Sequence, residues 1–379
     1  MRGPSIPMFY AGEIGRRGSA RKRAGLPLIS MNFGQPTEKA PAAAIAAAHS
    51  HLDTDPLGYF ESVPLIERLV RHYRETYGVE IEARRILLTS GASAALVAAF
   101  SALFRPGDRI ALVTPGYPAY RNTLRALGMI PVEIRCGRQQ SFKPGVEMLR
   151  ALEPQPDGLI LASPANPTGA MLNETELAEV ISYCDGSDIL LISDEIYHGI
   201  TYTEKAASAL QFSDRTVVIN SFSKLFRMPG WRLGWMAVPA GWAENISAYL
   251  INMFLTPPTL AQHAALAALD APEDLQRAVE IYRQNRNRLR LGLADLGITR
   301  IAPPDGAFYL YADIGHLSRD SLAFCIRAVE EIGVALAPGI DFDPEIGHRF
   351  VRFSFAVSPD EVEQALELLA GWLPRYRGP

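Results

Sequence analysis

The central part of the chain alternates short, almost unbroken apolar runs with stretches whose apolar positions recur every three to four residues. Runs at 86–89, 109–113, 158–162, 189–193, 216–220 and 235–238 predict strands. Helical patterns fill the gaps, at 92–103 after Gly91, near 120–127 after Pro115-Gly116, and at 172–185. In the last of these, Asn173 as N-cap and Glu176 three positions on form a capping-box pattern. Strands that read as continuous apolar runs, rather than alternating ones, are buried on both faces. The pattern therefore predicts an α/β fold with a mostly parallel sheet flanked by helices. Sites in such sheets lie just past the strand ends. Gly91, Tyr117, Asn166, Asp194 and Lys224 all stand there.

The last hundred residues read differently. A long Arg-rich helix near 275–296 leads to strands near 308–312 and 350–355, with a helix at 321–332 between them and a final helix from 359 to about 373. This predicts a smaller α+β domain made of 275–379 together with 1–30, beside a large domain of 31–274 that opens on a sheet pattern at 31–33. The basic cluster Arg16, Arg17, Arg21, Lys22 and Arg23 reads as the solvated face of an N-terminal helix with Ile14, Ala20 and Ala24 beneath it.

Composition narrows the function. Of 379 residues, 48% are apolar and 21% charged, which is ordinary for a globular chain. A net charge of −4 supplies no field to gather nucleic acid or an anionic membrane. No apolar run approaches the length of a membrane span, and the N-terminus lacks a signal pattern. Cys136, Cys184 and Cys325 are far apart and odd in number, which argues against a disulfide framework or a zinc site and fits a reducing cytoplasm. No GxGxxG follows a strand, and neither GxxxxGK[ST] nor HExxH occurs.

The densest chemistry is Ser221-Phe222-Ser223-Lys224 followed by Gly230-Trp231-Arg232. A lysine just past a buried strand either snorkels to solvent or forms an imine with an aldehyde. Two hydroxyls before it and an arginine eight positions on suit a phosphate. Upstream stands Asp194-Glu195-Ile196-Tyr197. An aspartate at a strand end often caps a helix, but beside a pyridine nitrogen it would keep that ring protonated and electron-withdrawing. Tyr197 and Asn166 could hydrogen-bond a ring oxygen, although Asn166 before Pro167 also suits a plain turn.

Taken in order, Asn32-Phe33-Gly34-Gln35-Pro36, Thr89-Ser90-Gly91-Ala92-Ser93, Pro115-Gly116-Tyr117-Pro118, Ala165-Asn166-Pro167-Thr168-Gly169, the Asp194 and Lys224 stretches, and Val351-Arg352-Phe353 resemble class I/II aminotransferases of the fold type I pyridoxal-phosphate group. The resemblance runs from about residue 5 to 373 and implies a seven-stranded-type sheet and pyridoxal 5′-phosphate as cofactor. It implies that Lys224 holds the cofactor as a Schiff base and shuttles the proton, that Asp194 pairs with the pyridinium, and that Tyr197 and Asn166 serve the ring oxygen. It implies that Tyr117 stacks on the ring and that Gly91, Ala92, Ser93, Ser221, Ser223 and Arg232 bind the phosphate. Arg352, Gly34 and Asn166 would bind the substrate, an α-amino acid or 2-oxo acid, with the α-carboxylate on Arg352. A homodimer is implied, in which Tyr59 reaches the neighbour's phosphate and 256–259 completes the neighbour's site.

Two departures stand out. The stretch after Tyr59 lacks a following glycine and is about three residues short, and Pro229 stands where relatives often carry threonine, which should tighten a turn. The expected reaction is ping-pong transamination; β-elimination or decarboxylation on the same cofactor, or a non-catalytic module of the same fold, are the alternatives. Phe9, Tyr10, Tyr59 and Phe254 are candidate pocket walls.

Overall fold

The computed structural model describes residues 4–377. Twelve strands occur among them, in chain order β1 (Ile29–Ser30), β2 (Ile86–Thr89), β3 (Arg109–Thr114), β4 (Ile130–Arg135), β5 (Gly158–Ala162), β6 (Leu190–Asp194), β7 (Val217–Ser221), β8 (Gly234–Ala237), β9 (Tyr309–Asp313), β10 (Val334–Ala335), β11 (Ala337–Pro338) and β12 (Phe350–Ser354). Seven of them form one sheet in the order β2-β8-β7-β6-β5-β3-β4. Only β8 runs against its neighbours.

Side-chain alternation splits this sheet between two apolar layers. Leu88, Ala111, Leu159, Leu161, Leu191 and Val218 face one layer, covered by the helices Ala42–Thr54, Val63–Tyr77, Glu174–Gly186 and Thr259–Leu269. Leu87, Ile110, Leu112, Ile160, Ile192 and Ile219 face the other, covered by Ala92–Leu103, Pro118–Ala126 and Ala243–Phe254. A strand covered on both sides needs apolar residues at both parities, which is why these runs read as unbroken. The exception is β4. It sits at the sheet edge, half-exposed, and carries Pro131 and Glu133. An edge strand tolerates both, and both interrupted the apolar pattern, so the sequence did not announce it.

A third cluster gathers β9 and β12 with the helices Pro272–Asp295, Ser321–Arg327 and Pro359–Trp372. The stretch predicted as one helix at 321–332 changes to a π turn at Ala328–Ile332. Two N-terminal expectations change. Residues 31–33 are not a strand: β1 pairs in parallel with β10, and Met31 bonds Ala335 O and the Ser354 N–H. The helix Tyr10–Arg23 buries Ala11, Ile14 and Gly18, while Ala20 and Ala24 are exposed. Its basic face is partly tied down, with Arg17 paired to Glu13 and Glu330, and Arg21 donating to the carbonyls of Pro27 and Glu330.

Candidate active site

The strand ends do converge on one place. A cavity of about 270 Å³ is lined by Gly34, Ala92, Ser93, Tyr117, Asn166, Asp194, Tyr197, Ser223, Lys224, Arg232 and Arg352, all singled out from the sequence. Gly91 and Ser221 are not in its lining but touch residues that are, Gly91 against Arg232 and Ser221 bonded to Ser223, and Tyr59 lies outside it, 83% exposed. Of the candidate walls, Phe9 lines the cavity, whereas Tyr10 and Phe254 do not.

Asp194 is the last residue of β6 and shares the parity of Ile192, so it points to the face where the helix Pro118–Ala126 packs. That helix delivers Tyr120, whose hydroxyl donates to Asp194 Oδ2 at 2.5 Å, while the Ile196 N–H donates to Oδ1 at 3.1 Å. Burial pushes the Asp194 carboxyl above its ordinary value, and the two hydrogen bonds and the Lys224 ammonium pull the other way. Its neighbour Glu195 turns to the opposite face. There it accepts from Ser208 Oγ at 3.0 Å and from the Ala209 N–H at 2.8 Å.

Lys224 follows β7 by three residues, and its Nζ donates to Gly34 O at 2.5 Å. Burial, with added repulsion from Arg352 and Arg232, lowers its ammonium to about 8 against the pull of Asp194. A lysine so placed is deprotonated more readily than one in water.

Arg352, on β12, is 2% exposed. It donates to Asn166 Oδ1 at 2.7 Å and to Asn32 O at 2.6 Å, between the rings of Tyr309 and Phe342 at 4.4 and 4.8 Å from their centroids. Each Nη spends one N–H on these contacts and keeps one for another acceptor. Because arginine cannot accept, the Asn166 oxygen must face it, leaving the amide nitrogen as the donor toward the cavity. Tyr197 hydroxyl bonds that of Tyr309 at 2.6 Å.

At the other end, the helix Ala92–Leu103 begins. Its first intrahelical bonds are those of Ala94 and Ala95 to Gly91 O, so the N–H groups of Ala92 and Ser93 precede them, the usual anion-binding position. Gly91 has a φ of +81°, and a Cβ there would stand 2.4 Å from Arg232 Nη2. Only glycine lets that guanidinium lie against the turn. Arg232 itself is left-handed, after a 3₁₀ turn at Pro229–Trp231, and donates to Pro229 O at 2.9 Å. Ser221 Oγ donates to Leu233 O at 3.0 Å and accepts the Ser223 N–H at 3.1 Å, which orients Ser223.

Two contributors were not read from the sequence. Tyr120 lies one helical turn after Tyr117, and that spacing was the available signal. Tyr309 is brought in only by pairing of β9 with β12. His198 is buried and bonds Tyr77 Oη at 2.9 Å and Ser163 O at 3.0 Å. Arg349 bonds Asp313 at 2.7 Å rather than entering the cavity.

A parallel-sheet fold that brings a lysine, a buried carboxylate, an anion-binding turn and a buried arginine into one cavity defines a class. Residues 27–369 match the family described as aminotransferase class I and II, and the chain belongs to that family; it is an aminotransferase. Over 376 residues, 97% of either chain, it is 42% identical to the valine–pyruvate aminotransferase of Mycobacterium tuberculosis. The solved structure of an aminotransferase from the same organism superposes with a TM-score of 0.95 at 42% identity, covering 98% of each chain. The aspartate aminotransferase of Thermus thermophilus with maleate superposes at 0.90 with 29% identity, covering 98% of this chain and 100% of that one. The family fold is that of pyridoxal-phosphate enzymes, and among the described residues no helix is long and apolar enough to cross a membrane.

Proposed function

We propose that this aminotransferase binds pyridoxal 5′-phosphate on Lys224 and moves the amino group of an apolar α-amino acid to a small 2-oxo acid. The observation that carries the reading is the division of labour among the three cations of one cavity: Lys224, Arg232 and Arg352. Lys224 shares the cavity lining with Asp194, Arg232 lies against the Gly91 turn, and Arg352 keeps two N–H groups for a carboxylate.

The residues fit the cofactor. An amine of lowered pKa suits an aldehyde, a buried carboxylate suits a pyridine nitrogen, and the N–H groups of Ala92 and Ser93 with Ser223 and Arg232 suit a phosphate. When bound, pyridoxal phosphate supplies a carbonyl that condenses with amines and a protonated ring that draws electrons from the attached carbon. Asp194 would hold that ring nitrogen protonated. Asn166 and Tyr197 would donate to the ring oxygen, and Tyr117 would cover the ring face. Arg352 fixes the substrate through its α-carboxylate, which sets the Cα–H bond against Lys224. Lys224 Nζ, with its lowered pKa, would be the general acid–base group that takes the proton from the substrate Cα. The net exchange would turn the amino acid into its 2-oxo acid and a second 2-oxo acid into its amino acid, both held through their carboxylate by Arg352.

With those cations assigned, Phe9, Phe33 and Leu96 are left as apolar walls for the substrate side chain. The relative named valine–pyruvate aminotransferase supports the same choice. We further place the protein in the cytoplasm, in keeping with its buried free cysteines, and as a homodimer in which exposed Tyr59 serves the neighbour's phosphate. A donor panel with pyruvate as acceptor tests the substrate class. Valine or another branched donor should exceed aspartate in kcat/KM by at least tenfold; a preference for aspartate would reverse the assignment.

A further inference from the structure

Tyr309, the first residue of β9, touches two residues of the cavity that have different tasks, Arg352 and Tyr197. Antiparallel pairing sets it opposite Ser354, two positions beyond Arg352 on β12. Residues opposite each other across such a ladder share a face, and a diagonal neighbour stays within reach of an aromatic ring. The Tyr309 ring therefore lies against the Arg352 guanidinium, 4.4 Å from its centroid. Its hydroxyl meets Tyr197 Oη at 2.6 Å. Tyr197 is carried by the turn that follows β6, three residues after Asp194, and its ring stands edge-on to that of Tyr309 at 5.6 Å and 80°.

The direction of that hydrogen bond follows from proton counting. Burial holds both hydroxyls above their ordinary value, so each is neutral and carries one proton. A single contact uses one of the two protons, and the other needs an acceptor elsewhere. Among the described residues, neither hydroxyl has a second partner. The surroundings decide which proton is left over. Tyr309 is the deeper of the two, 0% exposed against 4% for Tyr197. The Gly34 backbone closes on its hydroxyl, where an added Cβ would stand 1.9 Å away. Were Tyr197 the donor, the Tyr309 proton would be buried with no acceptor, which costs more than one hydrogen bond gains. With Tyr309 as donor, the Tyr197 proton is the one left for the cavity. The Arg352 charge acts in the same sense: burial raises the Tyr309 hydroxyl, and the guanidinium against its ring pulls it back toward a better donor.

We propose that Tyr309 is a positioning residue: its hydroxyl donates to Tyr197 Oη and thereby fixes Tyr197 as a donor toward the cavity, to the ring oxygen of the cofactor. The inference rests on the pyridoxal-phosphate reading of the site and adds to it a residue that never touches the ring oxygen itself. A hydroxyl that accepts one hydrogen bond donates a stronger one, so Tyr309 strengthens the Tyr197 contact as well as orienting it. Its ring serves Arg352 separately. Removing the hydroxyl alone therefore isolates the effect on Tyr197.

The test is a pH titration of the cofactor's visible absorption band in the holoenzyme, for wild type, Tyr309→Phe, Tyr197→Phe and the double variant, all of which keep the ring volumes. The midpoint reads the proton held on the lysine-bound nitrogen beside the ring oxygen. Weaker donation to that oxygen leaves it more negative, so the nitrogen keeps its proton longer and the midpoint rises. Tyr309→Phe should raise it by about 0.3 unit or more. Tyr197→Phe should raise it further, and adding Tyr309→Phe to Tyr197→Phe should change nothing. The opposite bond direction predicts the opposite sign, because Tyr309→Phe would then release the Tyr197 proton to the ring oxygen and lower the midpoint. A fall, an unchanged midpoint, or an equal rise in the Tyr197→Phe background overturns the proposal while leaving the cofactor reading in place. A wild type without any cofactor band, even with added pyridoxal phosphate, overturns both.

Discussion

Replacing Tyr120 with phenylalanine removes one oxygen and tests how Asp194 is kept ionised. Asp194 is buried at the end of β6, and burial is the largest influence on its carboxyl, pushing it upward. The opposing contacts are few: the Tyr120 hydroxyl at 2.5 Å, the Ile196 N–H at 3.1 Å, and the charge on Lys224. Phenylalanine fills the same space in the apolar layer and keeps the edge-on contact with Tyr117, now at 5.4 Å between centroids. The change is therefore nearly pure loss of a hydrogen bond to an anion, about 1.5–3 kcal/mol. At about 1.4 kcal/mol per tenfold, kcat/KM should drop roughly 10- to 100-fold. On the proposed pairing of Asp194 with the ring nitrogen, retention of the cofactor should weaken as well. Steady-state kinetics and a cofactor-release titration by fluorescence read both. A Tyr120→Phe enzyme within twofold of wild type on both counts would refute the claim that this hydroxyl holds Asp194 in its charged form.

Other expectations follow from the same geometry. Arg352→Lys replaces a planar fork by a point charge and should reduce kcat/KM for α-amino acids by about 100-fold, roughly 3 kcal/mol, while amines without an α-carboxylate are little affected; equal losses for both kinds of donor would contradict the assignment. Gly34→Ala would put a Cβ 1.9 Å from the Tyr309 hydroxyl, so it should displace the ring that flanks Arg352 and raise KM, an effect absent if Tyr309 plays no part in shaping the site. The buried pair behind Asp194 yields a pH effect. Burial raises Glu195 to about 7 and lowers His198 to about 4, against ordinary values of 4.5 and 6.5. Between about pH 4.5 and 6.5 the native pair keeps one proton on Glu195 and the unfolded pair keeps one on His198, so this pair contributes little slope. Glu195→Gln leaves His198 alone. The unfolded imidazole then binds a proton below its ordinary value while the native one resists until about 4, so stability should fall by about 3 kcal/mol as pH drops through that window. Urea midpoints across that range measure it, and parallel curves for variant and wild type would sink the argument.

Much of the fold could be read because a doubly covered parallel sheet writes its strands as apolar runs, and β2 and β5 begin and end where those runs do. The edge strand β4 was invisible because half-exposure permits Pro131 and Glu133. The candidate site was legible wherever its residues come from one short stretch, as at Asp194 and Lys224. It was not legible where long-range packing brings a residue in. Tyr309 reaches Tyr197 only because β9 lies beside β12, and nothing local to residue 309 says so. The buried face of the first helix was misjudged for a related reason. Its burial is set by docking on β10, β11 and the helix Ser321–Arg327, which leaves Ala20 outside and Gly18 inside.

The account stands most directly on Lys224 as the residue that holds the cofactor and moves the proton. The measurement is the near-ultraviolet and visible absorption spectrum of the purified protein, and of Lys224→Ala, before and after valine and then pyruvate. Wild type should show a cofactor band that valine converts to the amine form and pyruvate restores, and the variant should show no such cycle at a comparable rate. A band that never converts in wild type, no band even with added pyridoxal phosphate, or normal cycling in Lys224→Ala would contradict the account.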